Sequence, residues 1–491
     1  MVLRARLALC AAAVLVLAGC TTSDSPGSSA PDGRANIVFV LVDDMDSGLV
    51  QYMPHLQQMQ RDGVTFSDFT VTDSLCCPSR SSILTGKFPH NTGVFTNEPP
   101  DGGFGVFHER DERDTIGTEL QQAGYRTGFL GKYLNGYQPR APLGGDRPFV
   151  PPGWNEWAVA GNGYANYDYN LNVNGRVEHH GRRPEDYLTD VIAKRGNAFI
   201  RANAAEGTPF FLEVAPFVPH SPSTPAPRHK NAFPDLTAPR GPAFNEADRS
   251  DKPAWLRDLP PLSPEQIESA DQKYRKRARS LLAVDDMLAG FQRTLAETGQ
   301  AQRTHLVFAS DNGFHLGEHA LEAGKQTAFD TDVRVPLIAT GPGVPSGVVV
   351  DRSVQNIDLR PTFAELAGLP PRPDLDGMSF AGLLRGGPPA ADRDVALVEH
   401  HAPRNGPGDP DQQKNQEGIP PTYTSIRTPE GTYVEYATGE REYYDNRTDP
   451  DQLDNTYAQL PPDQRDRLHR TLTELAACRG NAECTAAAKA R

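Results

Sequence analysis

The sequence contains four short, almost uniformly apolar runs, each followed closely by charged or polar residues. The runs cover residues 36–42, 126–130, 209–215 and 304–309. Apolar runs without strict alternation are typical of strands in a parallel sheet that is buried on both faces. Helical patterns alternate with them, at residues 114–124 and 272–298. The chain is therefore predicted to form an α/β fold around one large, mostly parallel sheet.

The residues that follow these runs carry functional side chains. They are Asp43, Asp44, Lys132, His220, Asp311 and Asn312. In open α/β sheets ligands bind at the carboxyl ends of the strands, so we expect these residues to share one site. Their carboxylate and amide oxygens suit calcium, or less well magnesium, rather than zinc. Acidic pairs at strand ends also cap helices or face solvent, so the metal site needs support from another motif.

The chain is long enough for a large domain and a smaller one. A Gly-Gly-Pro-Pro segment at residues 386–389 marks the predicted boundary, with a catalytic domain at 35–388 and a smaller domain at 389–491. Three short strands are predicted in the second domain, at residues 394–399, 423–427 and 432–436, and a final helix at 462–477. Residues 220–264 are rich in proline and are predicted to pass over the active face as a long excursion.

The N-terminus has the pattern of an export signal. Arg4 and Arg6 precede an apolar run at residues 7–18, which ends in Leu-Ala-Gly followed by Cys20. This ending resembles a bacterial lipobox, so residues 1–20 are predicted to be a lipoprotein signal peptide and Cys20 the lipidated residue. Residues 21–34 are predicted to be a flexible tether. We therefore expect an exported, cell-surface lipoprotein that contacts the membrane through its lipid anchor only; the alternative is an ordinary signal peptide with an incidental cysteine.

The remaining cysteines and the net charge limit the classes of function that the chain can have. In an exported protein Cys478 and Cys484, close together in the sequence, are predicted to form a disulfide. Cys76 and Cys77 are adjacent in the sequence, and no further cysteine is left to form a disulfide with either. The formal net charge of -14 argues against a general nucleic-acid binder. An anionic substrate would need a local cluster of cations.

The unpaired cysteines belong to the segment CCPSRSSILTG at residues 76–86. It matches the sulfatase pattern C-x-P-S-R-x-x-x-L-T-G at every fixed position, and the chain therefore resembles the sulfatase family. Similar motifs follow in the family's order across the mature chain, at residues 124–127, 131–135, 219–222, 310–313, 324–336, 356–359, 376–379 and 444–450.

Within that family, the Lys-Tyr-Leu-Asn motif at residues 132–135 resembles the N-acetylglucosamine-6-sulfatases and the heparan endosulfatases. Residues 169–175, 186–190 and 478–480 are similar to them as well. Many other sulfatases carry a histidine where this chain has Leu134. His315 is a candidate for that missing role and for substrate binding.

The resemblance implies an alkaline-phosphatase-like fold and a set of catalytic roles. Cys76 would be oxidised to formylglycine by a formylglycine-generating enzyme, and the hydrated aldehyde would attack the sulfur of a sulfate ester. Arg80 and Lys132 would steady the formylglycine, Lys325 would bind the sulfate oxygens, and His220 would protonate the leaving oxygen. Lys132 and His220 would also contact the substrate. The metal ligands implied are Asp43, Asp44, Cys76, Asp311 and Asn312.

The substrate implied is a sulfated sugar, such as one with a 6-O-sulfate on an N-acetylglucosamine-type ring, or an aryl sulfate. One alternative is a phosphodiesterase or phosphonate monoester hydrolase of the same superfamily, which the missing histidine keeps open. A second is a non-catalytic glycan-binding lipoprotein in which Cys76 is never converted.

Overall fold

The computed structural model describes residues 34–143, 145–391, 393–402 and 418–489. The predicted signal peptide, the predicted lipidation at Cys20 and the predicted tether up to residue 33 lie outside these ranges. Within them, no helix combines the length and the apolar composition needed to cross a membrane.

Sixteen strands occur in the described ranges. They are β1 (Asn36–Val42), β2 (Val64–Phe66), β3 (Phe69–Thr70), β4 (Arg126–Lys132), β5 (Glu156–Ala160), β6 (Tyr169–Val173), β7 (Arg176–His180), β8 (Phe210–Ala215), β9 (Thr304–Ser310), β10 (Leu337–Thr340), β11 (Val348–Val350), β12 (Val354–Gln355), β13 (Ala396–His400), β14 (Tyr423–Arg427), β15 (Gly431–Tyr436) and β16 (Arg441–Asp445).

The same ranges contain thirteen α-helices. They are α1 (Pro54–Asp62), α2 (Cys76–Thr85), α3 (Pro89–Thr92), α4 (Gly103–Arg110), α5 (Ile116–Gln122), α6 (Leu188–Glu206), α7 (Ala254–Arg257), α8 (Pro264–Glu297), α9 (Asp330–Val333), α10 (Leu359–Leu366), α11 (Ala381–Leu384), α12 (Pro462–Leu475) and α13 (Gly480–Ala488).

The large sheet has ten strands in the order β11-β2-β10-β9-β1-β8-β4-β5-β6-β7. The five strands from β9 to β5 run parallel, whereas β10 and β6 are antiparallel to their neighbours. Alternate side chains of β1 pack into two different apolar clusters, with Phe39 on one face and Val40 on the other. Both faces of the strand are buried, which explains why its sequence is continuously apolar. The predicted α/β fold is confirmed.

The four apolar runs singled out in the sequence are β1, β4, β8 and β9, and they are neighbours in the sheet, in the order β9-β1-β8-β4. Because they are parallel, their carboxyl ends meet at one edge. The chain beyond β8 stays beside the end of β1, since the Asp43 N–H donates to the Val218 carbonyl (3.4 Å). The residues that follow these four strands are thereby brought together.

The long helix α8 begins at Pro264, eight residues before the predicted start, so that prediction was wrong at its N-terminal end. The reason is a capping box. The Ser263 side chain accepts the Gln266 backbone N–H, and Gln266 in turn accepts the Ser263 N–H (2.7 Å). With proline at the first helical position, these bonds fix a helix start that the polar composition of the segment had obscured.

The C-terminal sheet is a four-stranded antiparallel meander in the order β13-β14-β15-β16. Its last strand, Arg441–Asp445, was missed by the sequence prediction; the final helix ends at Leu475. Cys478 and Cys484 form a disulfide with an S–S distance of 2.02 Å. Strand β13 connects the meander to the segment that follows β3, where the Glu399 N–H donates to the Thr72 carbonyl (2.8 Å).

Candidate active site

Cys76 is the first residue of α2 and is fully buried. The free N–H groups at the start of a helix favour negative charge, so the position suits an anion or a developing oxyanion. The next residue is held in place, because Asn97 Oδ1 accepts the Cys77 N–H (3.1 Å). The Cys76 Sγ lies 3.2 Å from Asp43 Oδ1 and 2.8 Å from Lys325 Nζ.

Three buried carboxylates surround this position. Asp43 and Asp44 follow β1, and Asp311 follows β9. Asp44 has a φ of 69°, in the left-handed region that non-glycine residues rarely adopt. Its N–H donates to Asp311 Oδ1 (3.0 Å), which ties the two strand ends together.

Asn312 completes the acidic cluster. Its Nδ2 donates to Asp44 Oδ1 (2.7 Å). Its Oδ1 is buried and has no hydrogen-bond partner among the described residues. A buried amide oxygen without a donor is costly, and a cation bound between these strand ends would satisfy it.

Three buried cations balance the carboxylates. Lys132, at the end of β4, donates to both oxygens of Asp43 (2.9 and 2.7 Å). Arg80 Nε donates to Asp311 Oδ2 (2.8 Å), and its Nη1 donates to the Lys132 carbonyl (3.0 Å). Lys325 Nζ donates to Asp44 Oδ1 (2.6 Å) as well as contacting Cys76.

The charged groups shift one another's pKa values. Burial alone would raise the pKa of Asp43, but Lys132, followed by His220 and Arg80, holds it below its usual value. Burial would lower the pKa of Lys132, but Asp43 raises it well above normal. At Asp311 the effect of burial exceeds that of the Arg80 charge, which lowers the pKa, and the pKa of this carboxyl is raised to about 6. One carboxylate of the cluster therefore lacks full compensation, which favours a further positive charge at this place.

His220 stands at the rim of the same cluster and is buried. Its Nδ1 is 2.8 Å from the Ser221 carbonyl. A carbonyl can only accept, so Nδ1 carries a hydrogen and Nε2 is the atom left to exchange a proton. The Nε2 lies 3.7 Å from Asp44 Oδ2, and the ring packs against Tyr164 with 4.4 Å between centroids.

The structure thus brings nine of the ten predicted site residues into one cluster. They are Asp43, Asp44, Cys76, Arg80, Lys132, His220, Asp311, Asn312 and Lys325. His315 is placed differently: its Nδ1 lies 2.9 Å from Asp332 Oδ2, and its backbone pairs with Gly324, next to Lys325. Its described contacts support the segment that carries Lys325.

Sequence reasoning missed Arg277, a fully buried residue of α8. Its guanidinium donates to the Asp44 carbonyl and to the Pro219 carbonyl (3.4 Å), so one side chain anchors both the loop with Asp43 and Asp44 and the loop with His220. Its Cζ also lies 4.1 Å from the centre of the Phe314 ring. The signal in the sequence was an arginine at helical spacing from buried residues, three positions after Tyr274 and four before Leu281.

The donor set fits a hard metal ion. Single oxygen atoms of Asp43, Asp44 and Asp311 lie within 4.8 Å of one another, and one ligand atom each of Asp43, Cys76 and His220 do so too. Together with the unpartnered oxygen of Asn312, this is an oxygen-rich set of the kind that calcium and magnesium prefer.

Comparison with known proteins agrees with this site. The sequence model of the family described as "Sulfatase" matches residues 35–369, and one described as "N-sulphoglucosamine sulphohydrolase, C-terminal" matches residues 317–477. The N-acetylglucosamine-6-sulfatase of Homo sapiens is 33% identical over 95% of this chain and 88% of its own length. An extracellular sulfatase SULF-1 homolog of Drosophila melanogaster is 36% identical over 73% of this chain, which spans 32% of that longer protein.

A solved structure described as a complex with its substrate D-glucosamine-2-N,6-O-disulfate has the same fold, with a TM-score of 0.71 at 24% identity; the match covers 90% of this chain and 97% of the other. The chain belongs to the sulfatase family. It is a sulfuric ester hydrolase, and the buried cluster around Cys76 is its candidate active site.

The role of Arg277 can be tested with a matched pair of buried arginines. Arg277→Met should lower kcat/KM for a sulfate ester on the order of a hundredfold, because two catalytic loops lose their shared anchor and small misplacements are costly. Arg360 is also fully buried and also donates to backbone carbonyls, those of Thr85 and Asp114.

Arg360→Met should therefore destabilise the protein by about 3–5 kcal/mol while leaving kcat/KM of the folded fraction unchanged. Kinetics and thermal unfolding on the two variants separate the effects. Equal kcat/KM for both variants would show that Arg277 is structural only.

Proposed function

We propose that this enzyme removes the 6-O-sulfate of an N-acetylglucosamine-type sugar or a related sulfated glycan, with a formylglycine made from Cys76 as nucleophile and calcium as its metal. The observation that carries the proposal is the position of Cys76: the side chain lies at a helix N-terminus, among carboxylates, and in contact with the ammonium group of Lys325. A thiol is a poor companion for a hard cation, whereas an aldehyde hydrate supplies oxygen.

The chemistry follows from two hydroxyl groups on one carbon. One hydroxyl attacks the sulfur and displaces the sugar oxygen, which forms a covalent sulfo-enzyme. The other then loses its proton, the carbonyl re-forms and sulfate departs, so that no water has to attack the hindered intermediate. The enclosed position of residue 76 suits this route, because the second step needs only a group already bonded to the same carbon.

The cations around residue 76 support distinct roles. Lys325 donates directly to Cys76 Sγ (2.8 Å), so it is placed to bind sulfate oxygens and to offset the charge that develops on them. Lys132 and Arg80 contact carboxylates instead and orient these around residue 76. Asp43, Asp44, Asp311, Asn312 and residue 76 would hold calcium, or less favourably magnesium. A bound divalent cation supplies Lewis acidity toward the sulfate group.

His220 would serve as the general acid. The bond from Nδ1 to the Ser221 carbonyl leaves Nε2 to deliver the proton to the leaving oxygen. Tyr164 packs against the His220 ring, and its own ring centre lies 5.1 Å from Lys132 Nζ, so the proposed acid and Lys132 contact the same aromatic side chain.

Support for the sugar substrate comes from relatives. The human relative is an N-acetylglucosamine-6-sulfatase, and the structural neighbour was solved with a glucosamine that bears a 6-O-sulfate. We propose further that the protein is converted by a formylglycine-generating enzyme and is anchored to the bacterial cell surface through Cys20.

The nucleophile is tested by mass spectrometry of the peptide that contains Cys76, from protein made with the converting enzyme. We expect the aldehyde at residue 76 and no turnover by Cys76→Ala. The matched control is Cys77→Ala: its thiol is equally buried, burial raises its pKa to about 12, and it should be dispensable for turnover. Full activity from protein with an unmodified Cys76 would contradict the mechanism.

The general acid is tested by the leaving group. A sugar hydroxyl needs a proton as the S–O bond breaks, whereas nitrophenolate departs without one. His220→Ala should therefore lower kcat for a sugar 6-sulfate about a hundredfold to ten-thousandfold and affect nitrophenyl sulfate much less. His229→Ala, in the same excursion but bound to Asp286, should change neither. Equal losses on both substrates would remove His220 from the acid role.

A further inference from the structure

Asp73 and His400 face each other in the interior with four polar atoms that lack partners. Neither residue is exposed, at 0% each. Neither carboxyl oxygen of Asp73 and neither ring nitrogen of His400 has a hydrogen-bond partner among the described residues. Asp73 Oδ1 and His400 Nδ1 are 3.6 Å apart, too far for a hydrogen bond. Buried polar groups of this kind are rare and require an explanation.

The pair lies beside the nucleophile. Asp73 is three residues before Cys76, and Ser74, the residue that follows Asp73, donates its hydroxyl to the Thr327 carbonyl (2.8 Å). Lys325 is close enough for its charge to lower the pKa of Asp73, although burial and Glu399 raise that pKa well above its usual range. Through Ser74, the segment that carries Asp73 is therefore joined to the segment that carries Lys325.

His400 reaches the same place from the C-terminal sheet. It is the last residue of β13, which the Glu399 N–H fastens to the Thr72 carbonyl (2.8 Å). Its ring lies 5.1 Å from that of Tyr423, whose hydroxyl donates to the Gln326 carbonyl (3.2 Å). The two domains predicted from the sequence thus meet at the Asp73–His400 pair.

Gln326 adds a third unsatisfied group. It follows Lys325, has a φ of 82° and is buried, and its Oε1 has no hydrogen-bond partner among the described residues. A non-glycine residue in this strained region often marks a functional site. The strained residue directly follows Lys325, and neighbours of the unsatisfied pair, Ser74 and Tyr423, bond to the backbone of the same segment.

The chemistry of the pair selects the ligand. Burial lowers the pKa of His400 to about 3, so the ring is neutral and offers one donor and one acceptor. The carboxyl group beside it, whose pKa is raised by burial and by Glu399, can both donate and accept hydrogen bonds. In the described ranges, groups of three metal-ligating side chains occur only around Asp43, so a metal is not favoured here. A hydroxyl group, which donates and accepts at once, matches both partners.

We propose that Asp73 and His400 bind ring hydroxyl groups of the sugar that carries the sulfate, and so select sugar sulfates over aryl sulfates. The inference rests on the proposed function, since it assigns the non-reacting part of the same substrate. The pair is no more enclosed than Cys76 itself, which is also 0% exposed. A sulfate ester bound at residue 76 places its sugar ring beside the segment of Lys325, to which the pair is joined through Ser74 and Tyr423.

The test compares two substrates on the full-length, converted enzyme. Asp73→Asn, which is nearly isosteric, and His400→Phe should each lower kcat/KM for N-acetylglucosamine 6-sulfate about tenfold to a hundredfold more than for nitrophenyl sulfate. Removing one ring hydroxyl from the substrate should lower kcat/KM of the wild-type enzyme by the same factor. When the missing hydroxyl is the one that Asp73 binds, Asp73→Asn should lower kcat/KM for that substrate no further.

The matched control is His305→Phe. His305 is also a buried histidine with an unpartnered Nδ1 among the described residues, but it lies in β9, with Gly341 beside its ring. His305→Phe should leave the ratio of the two kcat/KM values unchanged.

Equal losses on both substrates, or no loss on either, would overturn the inference while the proposed function stands. A converted wild-type enzyme that hydrolyses neither substrate would overturn the proposed function, and this inference with it.

Discussion

The buried contact between three carboxylates and three cations is the interaction on which the rest of the site depends. Isolated charges of this kind cannot stay ionised away from water, so each must have an opposite charge within a few ångströms. Lys132 and Asp43 satisfy each other, while Asp311 keeps a pKa of about 6 in spite of Arg80. The cluster can therefore accept one more positive charge, and it surrounds Cys76, the proposed nucleophile position.

Several parts of the fold hold this cluster in place. Four neighbouring strand ends supply it, and the amide of Asp44 bonds directly to Asp311 across two of them. Arg277 from α8 anchors the loop with Asp44, and Tyr423 of β14 in the C-terminal sheet donates to the Gln326 carbonyl next to Lys325. Rigid support of this kind is what positions reacting groups within the tolerance that catalysis requires. The smaller sheet thus contacts the segment that carries Lys325.

The parts that sequence predicted well are those specified locally. Strands such as β1 carry their own apolar pattern, and the segment at 76–86 identifies its family without reference to the rest of the chain. Arg277 and His400 were missed because their role arises from contacts between distant parts of the chain: Arg277 is 233 residues from Asp44 in sequence. The hydrophobic periodicity of a sequence does not indicate such a contact. The start of α8 was readable in principle from its Ser-Pro-Glu-Gln capping box, and β16 shows that short strands of a meander remain hard to delimit.

The central claim is that the carboxylate cluster binds a hard divalent cation, and the most direct measurement is the unfolding temperature of metal-stripped protein as calcium is added. An ion that binds only the folded state should raise this temperature progressively, with about 2.7 kcal/mol gained at a hundredfold excess over Kd. Magnesium should act more weakly. Asp311→Asn should abolish the rise, whereas Asp376→Asn, at a buried carboxylate that accepts the Phe88 and Gly480 amides, should retain it. No rise with calcium, an equal rise in Asp311→Asn, or stabilisation by zinc alone would contradict the account.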